Sequence, residues 1–520
     1  MSGETAESKG SGAARAETSA PRRPRGSPRH RFLGRWTARL AWLAAGALVA
    51  IAALYVVRYR SLPELGPWHR IRLEQELGGR AAGEVRSLEE YLALEERLVG
   101  ELAERERELG EPLIPLSRFR PGSPTNSLGH PVDWNRSHWL EPVGEPRGAA
   151  LLLHGLSDSP YSLHAVAEAL ASSGVAVLSL RLPGHGTMPS ELTRVGVDEW
   201  RTAVRVAADA VAKRAGDDPW TVVGYSNGAA LALDLSLAAL EGRGDPPPPR
   251  PDRLVFLSPA FAVSGLAGLA RWQELVSHLP GLEKLRWSSV VAEYDPYKYN
   301  SFPLHAGAEI YRLTNEIEAT LAWLAEAERL GELPPALTLQ SVVDATVPAV
   351  ASLERFYGRL PDNGSELVIY DVNRRAGALG FLASRVDLLL DEARRIGSFA
   401  FDVTLVTNAG EENFVEARTW PPHSTAPNVE PLGLEWPNGV YSLSHVAIPF
   451  PPDDPIYGAG ERHGPFPFGN LEPRGEKGAL IVPIDLLMRL RYNPFHAYLE
   501  RRVASFLGLE AKVPVATPQQ

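Results

Sequence analysis

The stretch that most constrains this chain runs Trp220-Thr-Val-Val-Gly224-Tyr225-Ser226-Asn227-Gly228-Ala-Ala230. A short β-branched run leads into Gly-x-Ser-x-Gly, and a small-residue helical pattern comes next. The pattern predicts a strand, a sharp turn with a serine at its tip, and a helix. A serine at such a turn is held in a strained backbone conformation, so the positions two residues to either side must be tiny. The turn lifts the hydroxyl clear of a sheet and sets it at a helix N-terminus. Ser226 is therefore read as a nucleophile, and the rest of the chain should supply a base, an orienting acid and an oxyanion hole.

Strands and helices alternate around that turn. Ala149–Leu153 is a continuous apolar run ending at His154-Gly155, as expected of a strand buried on both faces of a parallel sheet. Val175–Leu180 is a second such run, followed by Pro183-Gly184-His185-Gly186, and Leu254–Ser258 is a third. Helical patterns lie between them, so the fold class expected is α/β, a mostly parallel sheet flanked by helices. Right-handed crossovers would gather the loop ends at the carboxyl edge of the sheet, beside Ser226.

In this order and spacing, the His154-Gly155-Leu156 loop, the Arg181-Leu-Pro-Gly-His-Gly186 turn and the Gly224–Gly228 elbow resemble the α/β-hydrolase superfamily. The likeness is to its monoacylglycerol-lipase, carboxylesterase and serine-aminopeptidase-like branch, and covers residues 149 to 350. More loosely, Trp134-Asn135 onward and Ser444 to the C-terminus resemble a bacterial membrane-anchored subgroup of unassigned substrate. The resemblance implies two backbone oxyanion donors, the amides of Asn227 and Leu156. It also implies a triad acid at Asp344, which comes after the strand Ala336–Val343 and precedes Thr346-Val347-Pro348; the competing role there is a helix N-cap. Asp371, closing the next strand, is the alternative acid. His154 and His185 are read as shaping their loops.

The family's base lies some thirty residues past the acid, but none is found there. His423, His445 and His463 come next, and His445, in a strand-then-loop pattern from Tyr441 to Pro449, is the base expected. This implies an insertion at 377–439 between acid and base, with a helical pattern over Phe381–Arg395 and a strand-like run over Phe399–Val406. Residues 260–335, rich in aromatics from Trp272 to Phe302, stand where the family inserts its lid.

Upstream, residues 1–36 are basic and poor in apolar side chains, and are expected to be a disordered cytoplasmic tail. Leu40–Val57 carries no charge, with Trp36, Trp42, Tyr55 and Tyr59 near its ends, so 37–58 is expected to be a single membrane span. The arginine-rich flank puts the catalytic domain on the non-cytoplasmic side, periplasmic or extracellular. Ala50-Ile51-Ala52 leaves a cleaved signal peptide as the other reading. Residues 59–116 are expected to be an amphipathic helical linker, 117–510 the hydrolase domain and 511–520 a disordered tail.

The chain has no cysteine, which removes disulfides and thiolate metal sites, and no H-E-x-x-H or dinucleotide G-x-G-x-x-G. No metal or organic cofactor is expected. A net charge of −10 argues against a nucleic-acid partner. The function expected is hydrolysis of a carboxylic ester, with lipid esters among the candidate substrates, through Ser226, His445 and Asp344 and an acyl-enzyme. A peptidase or acyltransferase on the same triad, or a non-catalytic binding protein on the same scaffold, are the alternatives.

Overall fold

The computed structural model describes residues 28–78, 83, 85–109, 114–130, 132–262, 277, 281–376, 399–410, 412–459 and 489–509. It divides into two units, residues 1–61 and 62–520.

The first unit contributes one described element, the helix α1 (Pro28–Ser61). It begins within the stretch expected to lack structure. Leu40, Leu43, Val49, Leu54 and Val57 are exposed on it. Among the described residues no helix is long and apolar enough to cross a membrane. The span expected at 37–58 lies within α1, and the side chains of Leu48, Ile51 and Ala52 fall outside the described set.

The second unit is built on a ten-stranded sheet, in the order β1-β3-β2-β4-β5-β8-β9-β10-β11-β12. Its centre is parallel: β3 (Ala176–Leu180), β2 (Ala149–Leu153), β4 (Trp220–Tyr225), β5 (Arg253–Leu257), β8 (Ala336–Ser341), β9 (Glu366–Tyr370) and β10 (Asp402–Asn408). β1 (His138–Leu140) pairs antiparallel with β3 at one edge, and β11 (Phe414–Trp420) and β12 (Asn428–Glu435) form an antiparallel meander at the other.

Alternate side chains of the central strands feed two cores, which is why those strands read as unbroken apolar runs. Leu151, Leu153 and Val222 face α4 (Val197–Ala215), α5 (Asn227–Glu241) and α6 (Leu304–Glu326). Leu152, Val223 and Tyr225 face α3 (His164–Ser172) and α7 (His496–Phe506). Each fully buried leucine or valine contributes about 1.5–3 kcal/mol.

The described residues bear on three expectations. The insertion expected at 377–439 between acid and base lies partly within the described residues. Its described part, β10 to β12, extends the main sheet, while the helix expected at 381–395 lies outside the described residues. The range 260–335 expected to hold a lid is described only in part. Leu313, Ile317 and Leu321 of α6 are buried in the core, so this helix is a structural layer of the domain. A two-stranded ribbon, β6 (Trp287–Ser289) with β7 (Phe302–Pro303), carries the loop between them over the sheet edge.

The described residues of the segment 59–116 pack into the second unit from Leu62 onward. Its helix α2 (Leu88–Leu109) buries Leu88 and Tyr91 in the main core, and Leu98 and Leu102 against Leu73, Phe119 and Met188. Its buried polar face holds an ion cluster. Arg181, fully buried at the turn after β3, lies 2.8 Å from Glu95 and 3.1 Å from Glu76 through separate nitrogens. Burial pushes the Glu95 carboxyl up from the usual carboxylate range even beside that guanidinium.

Candidate active site

The turn after β4 explains its own glycines. Ser226 has φ 53° and ψ −112° and is the residue before α5. A Cβ on Gly228 would lie 1.9 Å from the Leu153 carbonyl oxygen, and one on Gly224 2.4 Å from the Ala229 Cα. Neither position has room for a side chain, because the elbow presses against β2 on one side and its own helix on the other. The Ser226 N–H donates to the Leu257 carbonyl at 2.9 Å, and the Ser226 carbonyl accepts from Ala260 at 3.1 Å, so β5 and its following loop clamp the strained residue.

Asp344 lies just beyond β8. One oxygen, Oδ1, accepts from the Thr346 and Val347 amides at 2.9 and 2.8 Å. The other, Oδ2, lies 2.8 Å from His445 Nδ1. The carboxylate is fully buried and the imidazole only 7% exposed. Asp344 thus caps a turn through one oxygen and contacts the His445 ring through the other.

His445 comes after an irregular segment and opens a 3-10 turn (His445–Ala447), where the sequence pattern suggests a strand. Its path back from β12 is pinned at the carboxyl edge of the sheet. The Ser341 hydroxyl donates to the Leu443 carbonyl at 2.9 Å, and the Asn373 amide donates to the Tyr441 carbonyl at 2.8 Å. Tyr225, the residue before the serine, packs its ring 5.3 Å from the His445 ring. The same ring closes over Gly155, where an added Cβ would lie 3.0 Å from it.

Asp371, His423 and His154, the other described candidates, lie in other surroundings. Asp371 pairs with Arg374 at 2.9 Å and accepts from the Thr407 hydroxyl at 2.8 Å. His423 sits in the β11–β12 connection with φ 60°. His463 lies outside the described residues. His154 Nε2 accepts from the Leu182 amide at 3.0 Å, while His154 Nδ1 lies 2.9 Å from the Gly155 carbonyl. Burial lowers the pKa of His154, and that of His185 to about 4. Both ring nitrogens of His154 are thus engaged within its own loop and the turn after β3.

Leu156 sits directly after that loop's glycine, and Asn227 is the first residue of α5. Among the described residues, neither backbone N–H donates to a backbone carbonyl. The Asn227 amide has no intrahelical acceptor by geometry. Arg181, whose guanidinium also donates to the His185 carbonyl at 3.0 Å, ties this layer to α2. The rings of His185 and His154 are 4.9 Å apart. A chain of contacts thus runs from Glu76 and Glu95 to the strand end that bears Gly155 and Leu156.

A cavity of about 240 Å³ opens beside this group, touching it through Tyr225 and Val446, the chain neighbours of Ser226 and His445. The β6–β7 loop supplies one wall. It is anchored by Tyr299 N–H donating to the Ser157 carbonyl at 2.8 Å and by Lys298 Nζ 2.7 Å from Asp158. The sequence marks the aromatic cluster here but does not single out Asp158, Lys298 or the arginines at the opening. Nothing in local pattern distinguishes such residues from surface charges. Among the described residues, no cluster of three His, Asp or Glu side chains is arranged to hold a metal ion.

Parts of the chain are similar to known proteins. Residues 144–374 match the family described as serine aminopeptidase, S33. A thermostable monoacylglycerol lipase of Bacillus sp. (strain H-257) is 34% identical over 95 residues, 18% of this chain and 35% of that enzyme. The match thus spans about a third of the lipase's length. Among solved structures, one from a study of the metagenome-derived lipolytic enzymes LipS and LipT is 21% identical, with a TM-score of 0.36, over 51% of this chain and 98% of its own. A monoacylglycerol lipase of Paleococcus ferrophilus is 19% identical, with a TM-score of 0.33, over 45% of this chain and 87% of its own. The family match lies across the sheet and elbow described above, so in this part the chain is similar to the serine aminopeptidase, S33 family and, over a shorter stretch, to a monoacylglycerol lipase.

Proposed function

We propose that this protein is a serine hydrolase of carboxylic esters. The observation that carries the reading is the buried 2.8 Å contact of Asp344 Oδ2 with His445 Nδ1, at the same sheet edge as the strained Ser226. In the proposed reaction Ser226 Oγ attacks the ester carbonyl carbon and its proton passes to His445 Nε2. Asp344 holds the imidazole with Nδ1–H toward itself and stabilises the imidazolium. The Asn227 and Leu156 amides receive the oxyanion, each donor contributing about 3 kcal/mol. The tetrahedral species collapses, the carbonyl–alkoxy bond breaks, and the alcohol leaves with the proton from His445. Water then adds to the acyl-serine, with His445 again taking a proton. The acid departs and Ser226 regains its hydrogen.

The matched family's description as a serine aminopeptidase supports a second reading, peptide hydrolysis on the same residues. A matched ester and amide of one acyl group separate the two. The ester is expected to show a kcat/KM higher by about three orders of magnitude or more. Amino-acid amides turned over faster than esters would replace the esterase reading with the peptidase one.

The N-terminal helix enters as a further part of the proposal, a membrane tether with the hydrolase domain on the non-cytoplasmic side. Its support is the uncharged run Leu40–Val57 behind an arginine-rich flank. As a helix this run is about 27 Å long, near the lower limit for a bilayer core. Full-length protein that leaves the membrane fraction in alkaline carbonate would contradict the tether.

A further inference from the structure

The cavity beside Tyr225 is unusual for a pocket meant to take an alkyl chain. Six tyrosines line it, and several of their hydroxyls are already engaged by protein partners. The Tyr457 hydroxyl donates to Asp295 at 2.6 Å, the Tyr299 hydroxyl donates to the Gly184 carbonyl at 3.1 Å, and the Tyr297 hydroxyl lies 3.0 Å from His130 Nδ1. Tyr161 and Tyr297 stack at 4.0 Å and 10°, so the wall is rigid and presents flat ring surface. At about 240 Å³ the space is below the usual size of a pocket for a drug-sized ligand, and suits a compact group.

The charges around the space are sorted by depth. Both acids are withdrawn into the wall: Asp295 is fully buried, and the Asp158 side chain is 8% exposed with Lys298 against it. The cations face outward: the Lys298 side chain is 30% exposed, Arg489 is exposed and Arg491 is half-buried. Arg491 hydrogen-bonds Tyr294 and acts electrostatically on Asp295, which fixes it at the opening. Among the described residues the lining thus carries three cations and two acids, with Lys298 paired to Asp158 and Arg489 and Arg491 the more exposed charges. The protein as a whole carries a net charge of −10, so its average composition does not lead one to expect such an opening.

From this arrangement we infer that the ester substrate carries an anionic group on a compact, flat portion, which the tyrosine-walled cavity holds while Arg489 and Arg491 engage the charge. Guanidinium forks suit carboxylate and phosphate oxygens alike, and ring faces accept a planar group without strain. This deepens the ester-hydrolase reading and rests on it.

The test compares phenyl acetates bearing, at the para position, a carboxylate, a phosphate or a neutral methyl ester, with the purified full chain. The neutral ester is the internal reference in every variant, so a fold defect that lowers all turnover leaves the ratio intact. Wild type is expected to prefer at least one anionic ester by about tenfold or more in kcat/KM, and the larger ratio names the anion. That preference is expected to fall towards one in the Arg489→Gln, Arg491→Gln double variant. It should also fall in wild type as salt rises from about 0.05 to 0.5 M, as the charges are screened. Should the double variant fail to fold, the wild-type salt titration decides. A wild-type ratio at or below one, a ratio unmoved by the double substitution, or one unmoved by salt would overturn the inference while leaving ester hydrolysis standing. If no ester is turned over and Ser226 takes no covalent label, the underlying reading has failed instead.

Discussion

Replacing His445 by alanine is expected to lower kcat for a carboxylic ester by about a million-fold, to the level that binding and the oxyanion donors alone sustain. The size of the effect comes from the geometry of the pair. The imidazole is fixed by a buried carboxylate at 2.8 Å, and that carboxylate is itself held by two backbone amides. Without the ring, the serine proton has no acceptor and the leaving alkoxide no donor. Asp344→Asn should cost less, about ten-thousandfold, because the ring remains but its preferred tautomer is lost. The check is pre-steady-state and steady-state turnover of an activated aryl ester, with circular dichroism to verify the fold. A His445→Ala enzyme within about tenfold of wild type would remove His445 as the base and direct attention to His463.

The second large effect concerns stability. Arg181→Leu is expected to lower the unfolding free energy by about 3–5 kcal/mol, the usual cost of breaking a buried ion pair on one side. The guanidinium is 1% exposed and the two carboxylate side chains it serves are at most 2% exposed. Its removal strands Glu76 and Glu95 without a cation and frees the turn at His185. Urea denaturation of the full chain, followed at the tryptophans, gives the midpoint. A loss below about 1 kcal/mol would mean that the upstream segment is not bound to the domain through this cluster.

The parts of this molecule legible in the sequence are those where one local rule dominates. β2, β4 and β5 are buried on both faces, so apolar runs locate them, and the elbow glycines declare themselves through backbone crowding. Asp344 can be placed because it stands directly beyond the end of a recognisable buried strand, β8. β11 and β12 cannot be seen this way. β11 lies between β10 and the edge strand β12, both have mixed exposure, and Pro431 lies within β12, so neither an apolar run nor a clean alternation marks them. For the same reason the return of the chain to His445 reads as an insertion of undefined path. It is set by long-range bonds from Ser341 and Asn373 that no periodicity records.

The upstream region shows the same limit in another form. Amphipathic spacing finds α2, but its buried face carries Glu95 and Glu106 among the leucines, and acidic residues on a helix ordinarily signal solvent. Only the partner, Arg181, more than eighty residues further on, makes Glu95 a core residue. The cationic opening of the cavity likewise gathers Lys298 with Arg489 and Arg491 from distant parts of the chain.

The central claim is that Ser226 is a nucleophile activated by His445. The most direct measurement is labelling of the purified full-length protein with a fluorophosphonate, with the modified peptide located by mass spectrometry. One adduct is predicted, on Ser226, absent in Ser226→Ala and slowed by orders of magnitude in His445→Ala. Labelling that persists in Ser226→Ala, or proceeds at the wild-type rate without His445, would contradict the claim.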